Sequence, residues 1–146
     1  MKITIINGPN LNLLGRREPE KYGTVTFESF LLSLKERYPL INFDYFQSNI
    51  EGELVGRIQE AGFSADGIIL NPGGYTHTSV AIGDAVSSVA APVVEVHITN
   101  IQAREEFRHE SLVGRFCAGS ILGFGLDGYR LAVEALIAKA KGKQNL

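Results

Sequence analysis

Short apolar runs alternate along the chain with longer stretches in which apolar residues recur every three or four positions. The first run, Lys2–Ile6, is rich in β-branched residues and ends at Asn7-Gly8-Pro9, so it reads as a buried strand stopped by turn residues. Thr26 is a good helix N-cap, and Phe27, Phe30, Leu31, Leu34 and Tyr38 then form one helical stripe that Pro39 stops. Ile41–Gln47 is a second strand. Ser48-Asn49-Ile50-Glu51 has capping-box spacing, and Ile50, Leu54, Ile58 and Ala61 carry the next helix to Gly62. Gly67–Leu70 gives a third strand closed by Asn71-Pro72-Gly73-Gly74, followed by a helix from Thr78 to Val89. A fourth strand, Pro92–Val96, runs into His97-Ile98-Thr99-Asn100, and a short charged helix is expected over Gln102–Phe107. A fifth strand falls near Ser120–Leu122. The last helix lines up Tyr129, Ala132, Val133, Leu136, Ile137 and Ala140, leaving 141–146 as a flexible tail.

Five strand–helix units with continuous apolar strands call for a parallel sheet covered on both faces. Right-handed crossovers make a doubly wound, flavodoxin-like α/β fold the natural topology, with strand order 2-1-3-4-5. The order reverses between the first and third strands, and ligands bind there, beyond the carboxyl ends of the strands. Three loops meet at that crevice: Asn7–Gly23, Asn71–His77 and His97–Asn100. The first is roughly three times longer than the usual connection of about 2–6 residues, which marks it as a functional loop or a disordered one.

Composition adds bounds rather than detail. At 146 residues the chain, 1–146, reads as a single domain large enough for a two-faced core. A net charge of -2 argues against nucleic acid as partner. No apolar stretch approaches the roughly 18 residues of a membrane span, and Ile3–Ile6 is too short for a signal peptide. The single cysteine, Cys117, excludes an internal disulfide and suits a cytoplasmic protein, with core filling favoured over nucleophilic work.

The chemistry-bearing residues gather in the crevice loops. Glu95 and His97 alternate along a strand, so both point to one face. A carboxylate beside an imidazole fixes its tautomer and favours the protonated ring, a candidate general acid; a histidine merely satisfied at a strand end is the alternative. His77 and Asp84, seven apart, are expected two turns apart on one helix face, facing either substrate or solvent. Asn71 offers an amide or ordinary turn chemistry. Arg104 and Arg108 lie one turn apart, Arg108 being the candidate carboxylate anchor unless the neighbouring glutamates simply pair with them. Tyr22 is the hardest to read. With a pKa near 10, about one tyrosine in a thousand is ionised at neutral pH. Arg17, five positions earlier, could lower that value and make Tyr22 a base; otherwise its ring anchors the loop.

Other readings fail on position. Gly123-Phe124-Gly125-Leu126-Asp127-Gly128 fits G-x-G-x-x-G but lies in the last unit, with no acidic residue about 20 positions on, so it reads as close helix–sheet packing. The three histidines lack metal-ligand spacing, so no metal is expected. The rival class is a flavodoxin-like module that binds a flavin, nucleotide or phosphate without catalysis. Against it, the turn after the first strand lacks the acidic pair of a phosphate-accepting receiver domain.

GPNLNLLGRREPEKYG, NPGGYTHTS, EVHITN and AREEFRHES, in this order and spacing, resemble type II 3-dehydroquinate dehydratase from Ile5 to Leu131. The resemblance implies a cofactor-free, cytoplasmic lyase of the shikimate pathway that removes water from 3-dehydroquinate to give 3-dehydroshikimate through an enolate. It implies a homododecamer arranged as a tetramer of trimers. By position, Tyr22 would be the base, Arg17 the residue stabilising its tyrosinate, and Asn10 a holder of the enolate through a water. His97 would be the acid for the departing hydroxyl. Asn71, His77, Ile98, Thr99 and Arg108 would bind substrate, and Asp84 would reach the site of a neighbouring subunit. The chain departs from the pattern at Thr99, where serine is common, at Lys21, where an apolar residue is frequent, and at Glu110, where a histidine or basic residue is frequent.

Overall fold

The computed structural model describes residues 1–16 and 18–144, without the side chains at 21, 22, 143 and 144. Five parallel strands form one sheet: β1 (Lys2–Asn7), β2 (Asn42–Gln47), β3 (Gly67–Asn71), β4 (Val93–His97) and β5 (Gly119–Leu122). Their order is β2-β1-β3-β4-β5, the flavodoxin-like arrangement expected. The register brings Asn7 beside Asn71 at the reversal between β1 and β3, and His97 beside Leu122.

Helices α2 (Phe27–Arg37) and α5 (Asp127–Gln144) cover one face, and α3 (Glu51–Gly62) and α4 (Val80–Ser87) the other. Strand side chains alternate between the faces. Ile3, Ile5, Ile69, Val94 and Val96 therefore pack with Phe27, Leu34, Tyr129 and Val133, while Ile6, Ile68, Leu70 and Val93 pack with Leu54, Ile58, Ile82 and Val86. Each such side chain, fully buried, contributes about 1.5–3 kcal/mol.

Thr26 caps α2 as expected, its hydroxyl accepting from the Ser29 N–H at 3.2 Å. Ser48 does not form a capping box. Ile50 occupies the cap position; Ser48 Oγ instead accepts from the Ile50 N–H at 2.9 Å and donates to Glu53 at 2.7 Å. The short hydroxyl reaches its nearest free donor, two residues on, so the turn forms one residue before the helix. The charged helix expected over Gln102–Phe107 is two 3-10 turns, Ile101–Ala103 and Glu106–Arg108, separated where Arg104 takes an extended backbone. The region lacks an apolar stripe to hold a longer helix against the sheet.

The long first loop is not featureless. It contains a 3-10 turn, Leu11–Leu13, and a one-turn helix, α1 (Pro19–Tyr22), while Leu11 and Leu14 are buried. At the other end α5 continues through Gln144 and so overlaps the expected tail. No helix among the described residues is long and apolar enough to cross a membrane.

Candidate active site

The two loops at the topological reversal touch through glycines. A Cβ on Gly8 would stand 2.5 Å from the Pro72 carbonyl oxygen, and the Gly8 N–H donates to the Asn71 carbonyl at 2.7 Å. Gly73, at φ +62, would press a Cβ to 3.1 Å from the Pro9 carbonyl oxygen. Only glycine allows this approach. It leaves a cleft at the carboxyl end of the sheet lined by Asn10, Asn71, His77, His97, Ile98, Thr99 and Arg108, all predicted from sequence. Arg104 lines it too, with Leu11, Leu13, Leu14 and Ile101 as an apolar wall.

His97 lies at the end of β4 with Glu95 behind it. Its Nε2 is 2.8 Å from Glu95 Oε1, so the imidazole N–H donates to the carboxylate. Glu95 is 1% exposed, and a carboxylate there is stable only if its oxygens are served by donors. Thr76 donates to Oε1 at 2.7 Å, Ser111 to Oε1 at 2.9 Å, and Ser120 to Oε2 at 3.0 Å. Burial alone would raise its pKa. The hydrogen bond and charge of His97, aided by Thr76 and Ser111, outweigh it and hold the carboxyl at about 2. The carboxylate therefore stays ionised beneath the ring. Gly114 makes room for the pair, since a Cβ there would meet Glu95 Oε2 at 2.6 Å.

His77 is fixed from the opposite side. Its Nδ1–H donates to the Glu110 carbonyl at 2.7 Å, and its ring faces that of His97 at 6.4 Å between centroids and 23° between planes. Glu110 thus serves through its backbone, which any side chain supplies. Asn71 donates to the Tyr129 hydroxyl at 2.9 Å, and Tyr129 donates to Asn7 at 2.8 Å. Arg108 donates to Glu105 at 2.9 Å, so the expected neighbour pairing forms even though Arg108 lines the cleft. Thr99 accepts from Arg104 at 3.4 Å. The G-x-G-x-x-G stretch packs as expected: a Cβ on Gly128 would lie 3.2 Å from Val96 Cγ1. It does more as well, because the Gly123 and Gly125 N–H groups donate to the carbonyls of His97 and Ile98 at 3.1 and 3.0 Å.

His77 and Asp84 do not share a helix face. His77 ends a 3-10 turn and Asp84 lies exposed on α4, separated by the Ser79 cap that restarts the helix with its hydroxyl accepting from Ile82. Asp84 does not line the cleft of its own chain. Arg17 and the Tyr22 side chain lie outside the described residues. Sequence reasoning missed Thr76, Ser111, Ser120 and Tyr129. The hydroxyls reach Glu95 from positions 16 to 25 residues away in the chain, a distance at which no spacing rule operates.

The model of the family described as dehydroquinase class II matches residues 1–137. The chain belongs to the class II dehydroquinase family. It is 54% identical over 138 residues to a 3-dehydroquinate dehydratase of Exiguobacterium sp. (strain AT1b), a match spanning 94% of each chain. It is 49% identical over 148 residues to the 3-dehydroquinate dehydratase of Campylobacter jejuni, covering 100% of this chain and 93% of that one. The crystal structure of type II dehydroquinase from Butyrivibrio crossotus superposes with a TM-score of 0.89 at 48% identity, covering 93% of this chain and 97% of that one. In this class II dehydroquinase the cleft therefore occupies the place that the doubly wound topology assigns to a ligand. Among its described residues no group of three or more His, Cys, Asp or Glu could hold a metal.

Proposed function

We propose that the chain is a 3-dehydroquinate dehydratase, a hydro-lyase of the shikimate pathway that eliminates water from 3-dehydroquinate to give 3-dehydroshikimate. The observation that carries this reading is the His97–Glu95 pair, whose imidazole lines a cleft with other polar groups that suit a hydroxylated ring acid. In the proposed sequence Tyr22, as a tyrosinate stabilised by Arg17, removes the proton on the carbon next to the ketone. The enolate that forms is held by Asn10 through a water, as charge developing in a dry site requires placed donors. His97, held by its hydrogen bond to Glu95, then protonates the leaving hydroxyl. Thr99, the Ile98 backbone and Arg108 take the carboxylate, Arg108 exchanging Glu105 for it. Asn71 and His77 hold ring hydroxyls. No cofactor is required for this sequence of proton transfers. The family resemblance also supports a cytoplasmic homododecamer built as a tetramer of trimers, with exposed Asp84 directed at the site of a neighbouring subunit.

Purified protein mixed with 3-dehydroquinate should generate the conjugated enone, read by the ultraviolet absorbance that the new conjugation brings. No turnover, with tight binding of a flavin or nucleotide instead, would favour the non-catalytic module. Tyr22→Phe and His97→Ala should each lower turnover by about 10²–10⁴-fold with little change in KM. Near-normal turnover in either variant would remove that residue from the mechanism.

A further inference from the structure

Asn10 has an unusual backbone. It sits at φ 71 and ψ -5, one of two non-glycine residues with positive φ among those described, and opens the 3-10 turn Leu11–Leu13 without a side-chain cap bond. An L-residue rarely takes this conformation unless its neighbours impose it, although asparagine tolerates it better than most. The imposing group lies outside the cleft. Asn49, just beyond the carboxyl end of β2, accepts from the Asn10 N–H through its Oδ1 at 3.0 Å. The same Oδ1 accepts from Gln47 Nε2 at 3.1 Å, and Gln47 Nε2 also donates to the Gly8 carbonyl at 3.1 Å. The Asn49 carbonyl in turn accepts from the Tyr75 hydroxyl at 3.4 Å. Beyond this, the Asn10 carbonyl accepts from the Leu13 N–H at 3.0 Å.

The result is a bracket. Gln47 and Asn49 hold the first loop at Gly8 and Asn10, while Tyr75 ties the same bracket to the loop after β3. With both backbone groups of Asn10 engaged, its side chain is the part left to serve the cleft it lines. The bonds that Asn49 makes are solvent-accessible, so each contributes little to the stability of the whole fold. Their consequence is local: they choose the backbone conformation from which the Asn10 amide projects.

We propose that Asn49 is a positioning residue for the reaction: it locks Asn10 in the left-handed conformation from which the Asn10 amide meets the enolate. This rests on the role of Asn10 given above, and the test separates the two. In the full chain, Asn49→Ala should lower kcat by about ten- to a hundredfold, the scale of a misplaced catalytic group. KM and melting temperature should stay close to those of the unsubstituted protein, since the bonds are solvated and Asn49 lies outside the cleft. Asn49→Asp keeps an oxygen that accepts from both N–H groups and should restore most of the turnover. The double variant Asn10→Ala with Asn49→Ala should lose no more than Asn10→Ala alone, because the bracket acts only through Asn10. If Asn10→Ala impairs turnover while Asn49→Ala does not, or if the two losses multiply, the bracket has no such role and the reading of Asn10 survives. If Asn10→Ala retains turnover, the role of Asn10 is wrong and the positioning role falls with it.

Discussion

Two buried polar clusters interrupt the apolar strands near their carboxyl ends, one on each face of the sheet. On the α2/α5 face, Asn7 and Asn71 follow Ile5 and Ile69 in alternation, and Tyr129 from α5 joins them with its hydroxyl, which donates to Asn7 and accepts from Asn71. On the α3/α4 face, Glu95 follows Val93 and collects His97, Thr76, Ser111 and Ser120. Both groups support the same cleft; Asn7, Asn71 and Tyr129 on one face and Thr76, Glu95 and His97 on the other are buried, while Ser111 is half-buried and Ser120 exposed. The first is neutral: it sets where Asn71 stands, and burial pushes the Tyr129 phenol above its ordinary value so that it stays protonated. The second carries a charge, the Glu95 carboxylate hydrogen-bonded to the adjacent ring. A neutral support and a charged one are thus supplied by different faces of one sheet.

Glu95→Gln attacks the charged cluster alone and should have the largest effect. The amide can still accept from His97, and the serine and threonine hydroxyls can turn to accept from its NH2, so the fold should survive. The charge is gone. Turnover should fall by about 10²–10⁴-fold, the usual contribution of a working acid. The same variant alters acid stability. The Glu95 carboxyl is lowered from an ordinary 4.5 to about 2 on folding. A depressed pKa contributes stability that is present above pH 4.5 and is lost as the pH falls through about 2. The gross size is about 3 kcal/mol. Acid titrations of melting temperature should show this loss in the unsubstituted protein and a flatter profile in Glu95→Gln. Full turnover in the variant would mean that the carboxylate only fills space.

The contrast also explains what could be read from sequence. The sheet order and the cleft were legible because alternating runs and stripes encode which face is buried, and the topology then places the loops. Glu95 and His97 were legible because strand alternation links residues two apart. The hydroxyls around Glu95 and the Tyr129 bridge were not. They depend on how the turn after β3, the segment after Arg108 and α5 fold over the sheet, and an isolated threonine, serine or tyrosine in sequence looks the same whether or not it meets a carboxylate. His77 and Asp84 failed for a related reason: a seven-residue spacing implies a shared face only if one helix runs unbroken between them, and Ser79 begins a new one.

Tyr129→Phe attacks the neutral cluster. The ring still packs against Phe27 and Phe30, but Asn7 Oδ1 and Asn71 Nδ2 lose their shared partner in a buried setting. The expected cost is about 1–3 kcal/mol of stability. Substrate affinity should weaken as Asn71 loosens, with kcat largely kept. The pH signature has the opposite sign to that of Glu95. A raised phenol pKa contributes stability that is present below the ordinary value of 10 and lost as the pH rises through the folded value. The variant should lack this alkaline component. A kcat loss matching that of Glu95→Gln would show that the neutral cluster also takes part in proton transfer, and the division between the faces would fail.

Ser120→Ala should give the smallest effect and test how the carboxylate is shared among its donors. Ser120 donates only to Glu95 Oε2, at 3.0 Å, from the edge strand β5. Ser111 already approaches the same oxygen at 3.3 Å while donating to Oε1 at 2.9 Å, and its hydroxyl also accepts from the N–H groups of Val113 and Gly114. Removing Ser120 therefore leaves both carboxylate oxygens served, whereas Ser111→Ala would strip a bond from each and free two backbone donors. Ser120→Ala should cost about 0.5–1.5 kcal/mol of stability and move the acid transition slightly upward in pH, with turnover nearly unchanged. Ser111→Ala should exceed it in every readout. Equal losses in the two variants would mean that the donors act as one cooperative set, in which no single hydroxyl is dispensable to the charge beneath His97.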